Sequence, residues 1–173
     1  MAKIDSRGFV DDGSSHLSIA GDLNVRGVIS SSAGSFAEIA TFDNQVGQTL
    51  TTANTWYIVT QWLSQSISSP GSLPQTASIA YVQPDMYYTC CSLSFSGSAG
   101  VYTLALFSDG VQERDSTLQA TISTGQSKPN NLTISDMEYE NSGTVHDLRV
   151  QCSLAGASFL MNYGNFLSFR IGG

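Results

Sequence analysis

The sequence predicts an all-β protein: an antiparallel jelly-roll sandwich preceded by an extended N-terminal arm with short β segments. Three observations carry this. Apolar residues recur at a spacing of two, as in Cys91, Leu93 and Phe95, or Leu148, Val150, Cys152 and Leu154. Turn signals return about every 8 to 12 residues. The alphabet suits strands and tight turns, with 27 Ser, 14 Thr and 16 Gly among 173 residues, and lysine only at Lys3 and Lys128. Helices written in Ala, Leu, Glu and Lys cannot be assembled from it, which excludes an all-α fold and a coiled coil.

Residues 1–48 read as the arm. Short apolar pulses alternate with glycine-containing turns: Leu17 and Ile19, Leu23 and Val25, Val28 and Ile29, then Phe36, Ile39 and Phe42. Strands this short bury little on their own, so they are expected to pair with, or lie on, another protein. Residues 49–173 read as the jelly-roll domain. Thr55 to Leu63 is an aromatic opening strand, followed by a Ser/Pro/Gly loop from Ser64 to Pro74 and a short strand from Thr76 to Val82. Met86 to Ser96 alternates cleanly, with Cys91, Leu93 and Phe95 on one face and Cys90, Ser92 and Ser94 on the other. Val101 to Ser108 is apolar on both faces and reads as a central strand. Asp109-Gly110 is a two-residue hairpin turn, with Val111 to Ser116 returning from it. The series continues through Thr117 to Ser123, Leu132 to Tyr139, Val145 to Leu154, Ala157 to Tyr163 and Phe166 to Ile171.

The charge balance of 7 basic against 14 acidic residues removes the basic surface that binding to nucleic acid or to anionic membranes requires. There is no apolar run of about 18 residues to cross a bilayer. The segment from Met1 to Arg7 lacks the apolar stretch of a secretory signal, so synthesis in a cytoplasm is expected. Cys90, Cys91 and Cys152 form no spaced framework and are read as thiols, Cys91–Cys152 being the only bridge considered.

The order of strands from residue 50 onward resembles the trimeric jelly roll of the C1q/TNF type, in the variant common among bacteriophage structural proteins. The resemblance rests on Thr55-Trp56-Tyr57, Tyr87-Tyr88-Thr89, Ser92-Leu93-Ser94-Phe95-Ser96 and Leu104-Ala105-Leu106-Phe107 with its Asp109-Gly110 turn. It continues in Leu132-Thr133-Ile134-Ser135-Asp136, Leu148-Arg149-Val150 and the closing Phe166-Leu167-Ser168-Phe169-Arg170-Ile171-Gly172. Gly143-Thr144-Val145-His146-Asp147 stands where the family often has a Gly-Asp pair, and no collagen-like segment is present. The arm element Gly21-Asp22-Leu23-Asn24-Val25-Arg26-Gly27 resembles strand–turn elements of phage fibres and other virion appendages.

The resemblance implies a homotrimeric virion protein: a capsid decoration, or cement, protein attached to the major capsid protein through its arm and stabilising the head. The second reading is the receptor-binding knob of a tail fibre, spike or tail needle, meeting a host-surface glycan or receptor. Capsid contacts are expected at Leu17, Ile19, Leu23, Val25, Val28, Ile29, Phe36, Ile39 and Phe42. Trimer contacts are expected at Trp56, Tyr57, Tyr87, Phe107, Tyr163, Phe166 and Phe169. Ser64 to Ser72 and Thr124 to Asn130 are the natural loops for a receptor.

No catalytic constellation is legible. The chain has no Gly-x-Ser-x-Gly elbow, no phosphate-binding loop and no His-Glu-x-x-His or Cys-x-x-Cys spacing, so no enzyme, cofactor or metal site is expected. Its two histidines, His16 and His146, are expected at the surface. Asp11-Asp12-Gly13 reads as a turn rather than a calcium fragment, and Asp136, Glu138 and Glu140 as the solvent face of a strand.

Overall fold

The computed structural model describes residues 9–11, 17–19, 36–42, 47–67 and 72–171. The chain divides into two compact units, 1–31 and 32–173. In the first, β1 (Phe9–Asp11) pairs antiparallel with β2 (Leu17–Ile19). The second holds β3 (Phe36–Phe42), β4 (Gln48–Leu50), β5 (Tyr57–Ile58), β6 (Ser64–Ile67), β7 (Ser72–Pro74) and β8 (Ser78–Tyr81). These are followed by β9 (Asp85–Gly97), β10 (Gly100–Ser108), β11 (Val111–Ile122), β12 (Asn130–Glu140), β13 (Val145–Cys152) and β14 (Ala157–Arg170). No helix is present among the described residues, and so none crosses a membrane.

The large unit is two antiparallel sheets. One runs β11-β10-β13-β8-β7, with β5 also on β13; the other runs β12-β9-β14-β3-β6, with β4 also on β14. Their inner faces meet in an aromatic core. Phe95 of β9 lies 5.1 Å from Phe159 of β14 and 5.6 Å from Tyr102 of β10, ring centre to ring centre. Leu104, Leu106, Leu148 and Val150 fill the same layer with no exposed surface. The Tyr102 hydroxyl donates to the Ser158 carbonyl at 2.8 Å, so its polar end is satisfied where the ring enters the core. Gly97 sits where this packing is tightest. A Cβ there would lie inside contact distance of the Ser158 carbonyl oxygen and of the Tyr102 hydroxyl.

Several sequence expectations hold in detail. β10, apolar on both faces, is interior, between β11 and β13. Asp109 and Gly110 both have positive φ, 47° and 82°, as a two-residue hairpin of the primed type requires, and Ser108 pairs with Val111. Others are corrected. Thr55 to Leu63 is mostly irregular, with only Tyr57–Ile58 pairing to β13, because Trp62 turns inward and its indole donates to the Val59 carbonyl at 2.9 Å. The loop expected over Ser64 to Pro74 contains β6 and β7. The pairs expected at 111–123 and 157–171 are single strands, β11 and β14. β14 is continuous because a bulge at Asn162 absorbs the break: Met161 pairs with Phe95 and Tyr163 with Ser94, so both Met161 and Gly164 face the core.

The arm is also shorter than the expected 1–48. β3 lies between β14 and β6, with Phe36↔Phe169 to Phe42↔Tyr163 in register, and Ala37 and Ile39 have no exposed surface. β3 is part of the jelly roll, and the boundary falls at 31/32.

Truncating Phe159 to alanine removes a ring from the centre of this layer. The expected loss is about 3–5 kcal/mol in a denaturant titration, against less than about 0.5 kcal/mol for Leu154→Ala, whose side chain is more than half exposed.

Candidate functional site

Two places on the large unit depart from what a satisfied monomeric sandwich needs. The first is the outer face of the β12-β9-β14 sheet. Inward residues of β9 are Tyr87, Thr89, Cys91, Leu93 and Phe95, which sends Met86, Tyr88 and Cys90 outward. Cross-strand register sets Met137 of β12 and Phe169 of β14 on either side of Tyr88, and Tyr139 beside Met86. The Tyr88 and Phe169 rings are 5.1 Å apart. Met137 and Tyr139 are 60% and 55% exposed, and Ile171 46%, so a contiguous apolar band faces solvent at one end of the sheet. Toward the other end, a shallow groove of about 320 Å³ runs between Tyr163, Asn165, Ser92 and Thr133.

The trimer residues expected from sequence divide three ways. Tyr163 and Phe169 are exposed on this outer face. Tyr87 and Phe166 are in the chain's own core and cannot contact a second copy. Tyr57 and Phe107 belong to the other sheet, and Trp56 immediately precedes its strand β5. Phe107 is buried between the Trp56 ring at 5.2 Å and the Arg149 guanidinium at 4.3 Å, and the Tyr57 hydroxyl bonds Thr51 at 2.8 Å. Tyr88, Met137 and Tyr139 share this exposed face but are not among the residues expected from sequence, although the phase of Cys90 and Ser92 carried back along β9 places Tyr88 outward. Of the expected capsid contacts, Ile39 is buried in the core and is excluded. Leu17 and Ile19 belong to β2, and Phe36 and Phe42 to β3. Leu23, Val25, Val28 and Ile29 lie outside the described residues, as do His16, Asp12 and Gly13.

The second place is a polar cluster at the open edge of the sandwich, where β11 and β12 close against each other. His146 is not at the surface: it is 1% exposed, because β13 turns it inward between Ser108 of β10 and Ile79 of β8. Its Nδ1 is 3.3 Å from the Tyr81 hydroxyl, which also contacts Thr89 at 2.8 Å and Ser168 at 3.0 Å, so a hydrogen-bonded chain crosses from one sheet to the other. Burial in this chain raises the Tyr81 phenol pKa well above its ordinary value. On the other side of the ring, His146 Nε2 is 2.6 Å from Glu140 Oε1, and Glu140 is 3% exposed. The carboxylates read as a solvent face share the parity of Ile134, the inward face. Glu140 is therefore buried, Asp136 half-buried and Glu138 exposed past the rim of the core. Glu113 of β11 approaches from the opposite sheet. Burial, with Glu138 and Asp136 beside it, pushes its carboxyl up to about 7.

Cys91 and Cys152 are buried thiols and Cys90 is half-buried, with no bridge between Cys91 and Cys152. Burial raises the Cys91 pKa far above the ordinary thiol value, so it is unreactive.

No protein-family profile matches the chain, and no curated protein sequence matches it. Solved structures do. The PRD1 vertex protein P5 superposes with a TM-score of 0.57 at 15% identity, over 82% of this chain and 100% of its own. Murine APRIL superposes with a TM-score of 0.50 at 12% identity, over 77% of this chain and 97% of its own. The fold is a TNF-like jelly roll. At these identities the likeness is one of backbone arrangement.

Glu113 gives the jelly roll a signature in pH. Its folded carboxyl holds a proton that the unfolded chain releases near 4.5, so the folded state binds more protons between about 4.5 and 7. Stability of chelator-treated protein is expected to fall as pH rises through that window, as measured by thermal melting, and Glu113→Gln is expected to flatten the decline.

Proposed function

We propose that the protein is a structural component of a tailed-phage virion: a homotrimeric decoration protein on the capsid, whose first unit attaches it to the major capsid protein and so stabilises the head. The exposed apolar band of Tyr88, Met137, Tyr139, Phe169 and Ile171 carries the trimeric part of this reading. An apolar surface of that kind, on an otherwise acidic and hydroxyl-rich protein, is stabilised by cover, and a second copy of the same face-and-edge provides it. The C1q/TNF-like strand order supports trimeric closure. The likeness to a vertex protein supports a place in a virion shell.

Attachment through residues 1–31 is supported by their separation as a unit of their own, with β1 and β2 as a short hairpin. Strand addition to a neighbouring sheet edge uses such segments, and three copies per trimer turn weak contacts into a firm bond. The receptor-binding knob is the second reading. It is favoured by the groove beside Tyr163, where an exposed ring next to Asn165, Ser92 and Thr133 has the mixed apolar and polar character that a sugar or peptide contact uses.

Two measurements test the proposal. Replacing Tyr88 and Met137 together by aspartate is expected to convert trimers to monomers in sedimentation velocity while leaving a β-type circular-dichroism spectrum; a wild-type protein that sediments as a monomer at micromolar concentration overturns the trimer. Deleting 1–31, and no further because β3 is in the core, is expected to leave trimers intact and abolish binding to capsids. Full occupancy by the truncated protein would remove the first unit from the attachment.

A further inference from the structure

The geometry points to a divalent transition-metal site at the open edge of the sandwich, formed by Glu113, Glu138 and His146 with Glu140 as fourth ligand. This goes beyond the assembly role and does not depend on it. One ligand atom from each of Glu113, Glu138 and His146 falls within 4.8 Å of the others, though they come from β11, β12 and β13. That convergence alone would be an unremarkable acidic rim. The deciding observation is inside it. His146 Nε2 and Glu140 Oε1 are both buried and face each other at 2.6 Å as an ion pair without hydrogen-bond geometry, and neither has a hydrogen bond to any other group.

Such an arrangement is costly without a cation. A buried carboxylate oxygen and a buried ring nitrogen each need compensation, and an ion pair without hydrogen-bond geometry gives little of it. A divalent cation accepts both lone pairs at once. The ring is already oriented for this, because Tyr81 holds Nδ1 from the opposite side and leaves Nε2 to coordinate, as outer-shell partners do for metal-ligating histidines. Tyr81 is in turn fixed by Thr89 and Ser168.

The donor set selects the class of metal. One imidazole nitrogen with carboxylates suits zinc or manganese, whereas calcium takes oxygen ligands in larger number. Reaching the separations of about 3.3 Å in a tetrahedral site takes side-chain adjustment: Glu138, exposed, and Glu113, half-buried, draw in from within 4.8 Å, and the 2.6 Å contact between His146 and Glu140 opens. The consequence is mechanical. Glu113 and His146 belong to one sheet and Glu138 and Glu140 to the other, so the ion staples the two sheets at the edge that no backbone hydrogen bonds close.

The test uses the full chain, stripped with chelator and titrated with zinc chloride at neutral pH by calorimetry and thermal melting. One zinc per chain at micromolar or tighter affinity is expected, with a melting temperature raised by several degrees. Glu138→Gln, at an exposed position, is expected to weaken binding by about 10-fold or more, and Glu113→Gln likewise, with folding checked by circular dichroism. His16→Ala is expected to change nothing, since of the two histidines only His146 is in the proposed ligand set. No zinc bound below about 100 µM, binding unaltered by both glutamine variants, or binding lost with His16 each overturns the proposal.

Discussion

The pairing of β9 with β14 is the constraint on which the rest of the structure depends. It runs from Phe159↔Gly97 to Arg170↔Tyr87 and lies at the centre of its sheet. Each strand gives one row of side chains to the core and one to the outer face. A slip of one residue would expose Cys91, Leu93, Phe95 and Phe166 and bury Ser92, Ser94 and Asn165. The register is pinned at its far end by Arg170, whose guanidinium pairs with Asp85 and bonds Gln83 at 3.0 Å, and at its near end by the Phe95–Phe159–Tyr102 stack. The same register sets Tyr88 beside Phe169 on the outside. The core and the exposed apolar band are therefore two sides of one pairing, and neither can shift without the other.

A sandwich closes its two faces by apolar burial, but its open edges are held by other means. Here the edge between β11 and β12 is polar. Tyr81, Thr89 and Ser168 carry a hydrogen-bonded chain through the core to His146, and beyond it stand Glu140, Glu113 and Glu138. Buried polar groups in such numbers specify one alignment of the sheets, because a shifted alignment leaves several of them unsatisfied. The cation proposed among the carboxylates would add stability to that specificity, and would offset the negative charge that, after burial, raises the Glu113 carboxyl.

The outer apolar band and the polar edge lie close together. β12 contributes Met137 and Tyr139 to the outer apolar band and Glu138 and Glu140 to the polar cluster, alternating residue by residue along one strand.

Local alternation determined much of this from sequence alone. The all-β class, the interior position of Val101 to Ser108, the Asp109-Gly110 turn and the inward row of Cys91, Leu93 and Phe95 follow from period-two spacing and turn chemistry, which act between near neighbours in the chain. The tertiary structure decided what depends on distant residues. The spacing of Phe36, Ile39 and Phe42 could not distinguish an arm strand from a core strand, since the partner that buries Ile39 is β14, more than 100 residues later. The bulge at Asn162 reversed the alternation in the middle of one strand, and Asp136, Glu138 and Glu140 read as a solvent face until the opposite sheet was seen to cover their end of it. His146 meets Glu113 and Glu138 only because the chain folds three strands from two sheets onto one edge. No motif spacing encodes that meeting, because its geometry is set by the packing of the sheets.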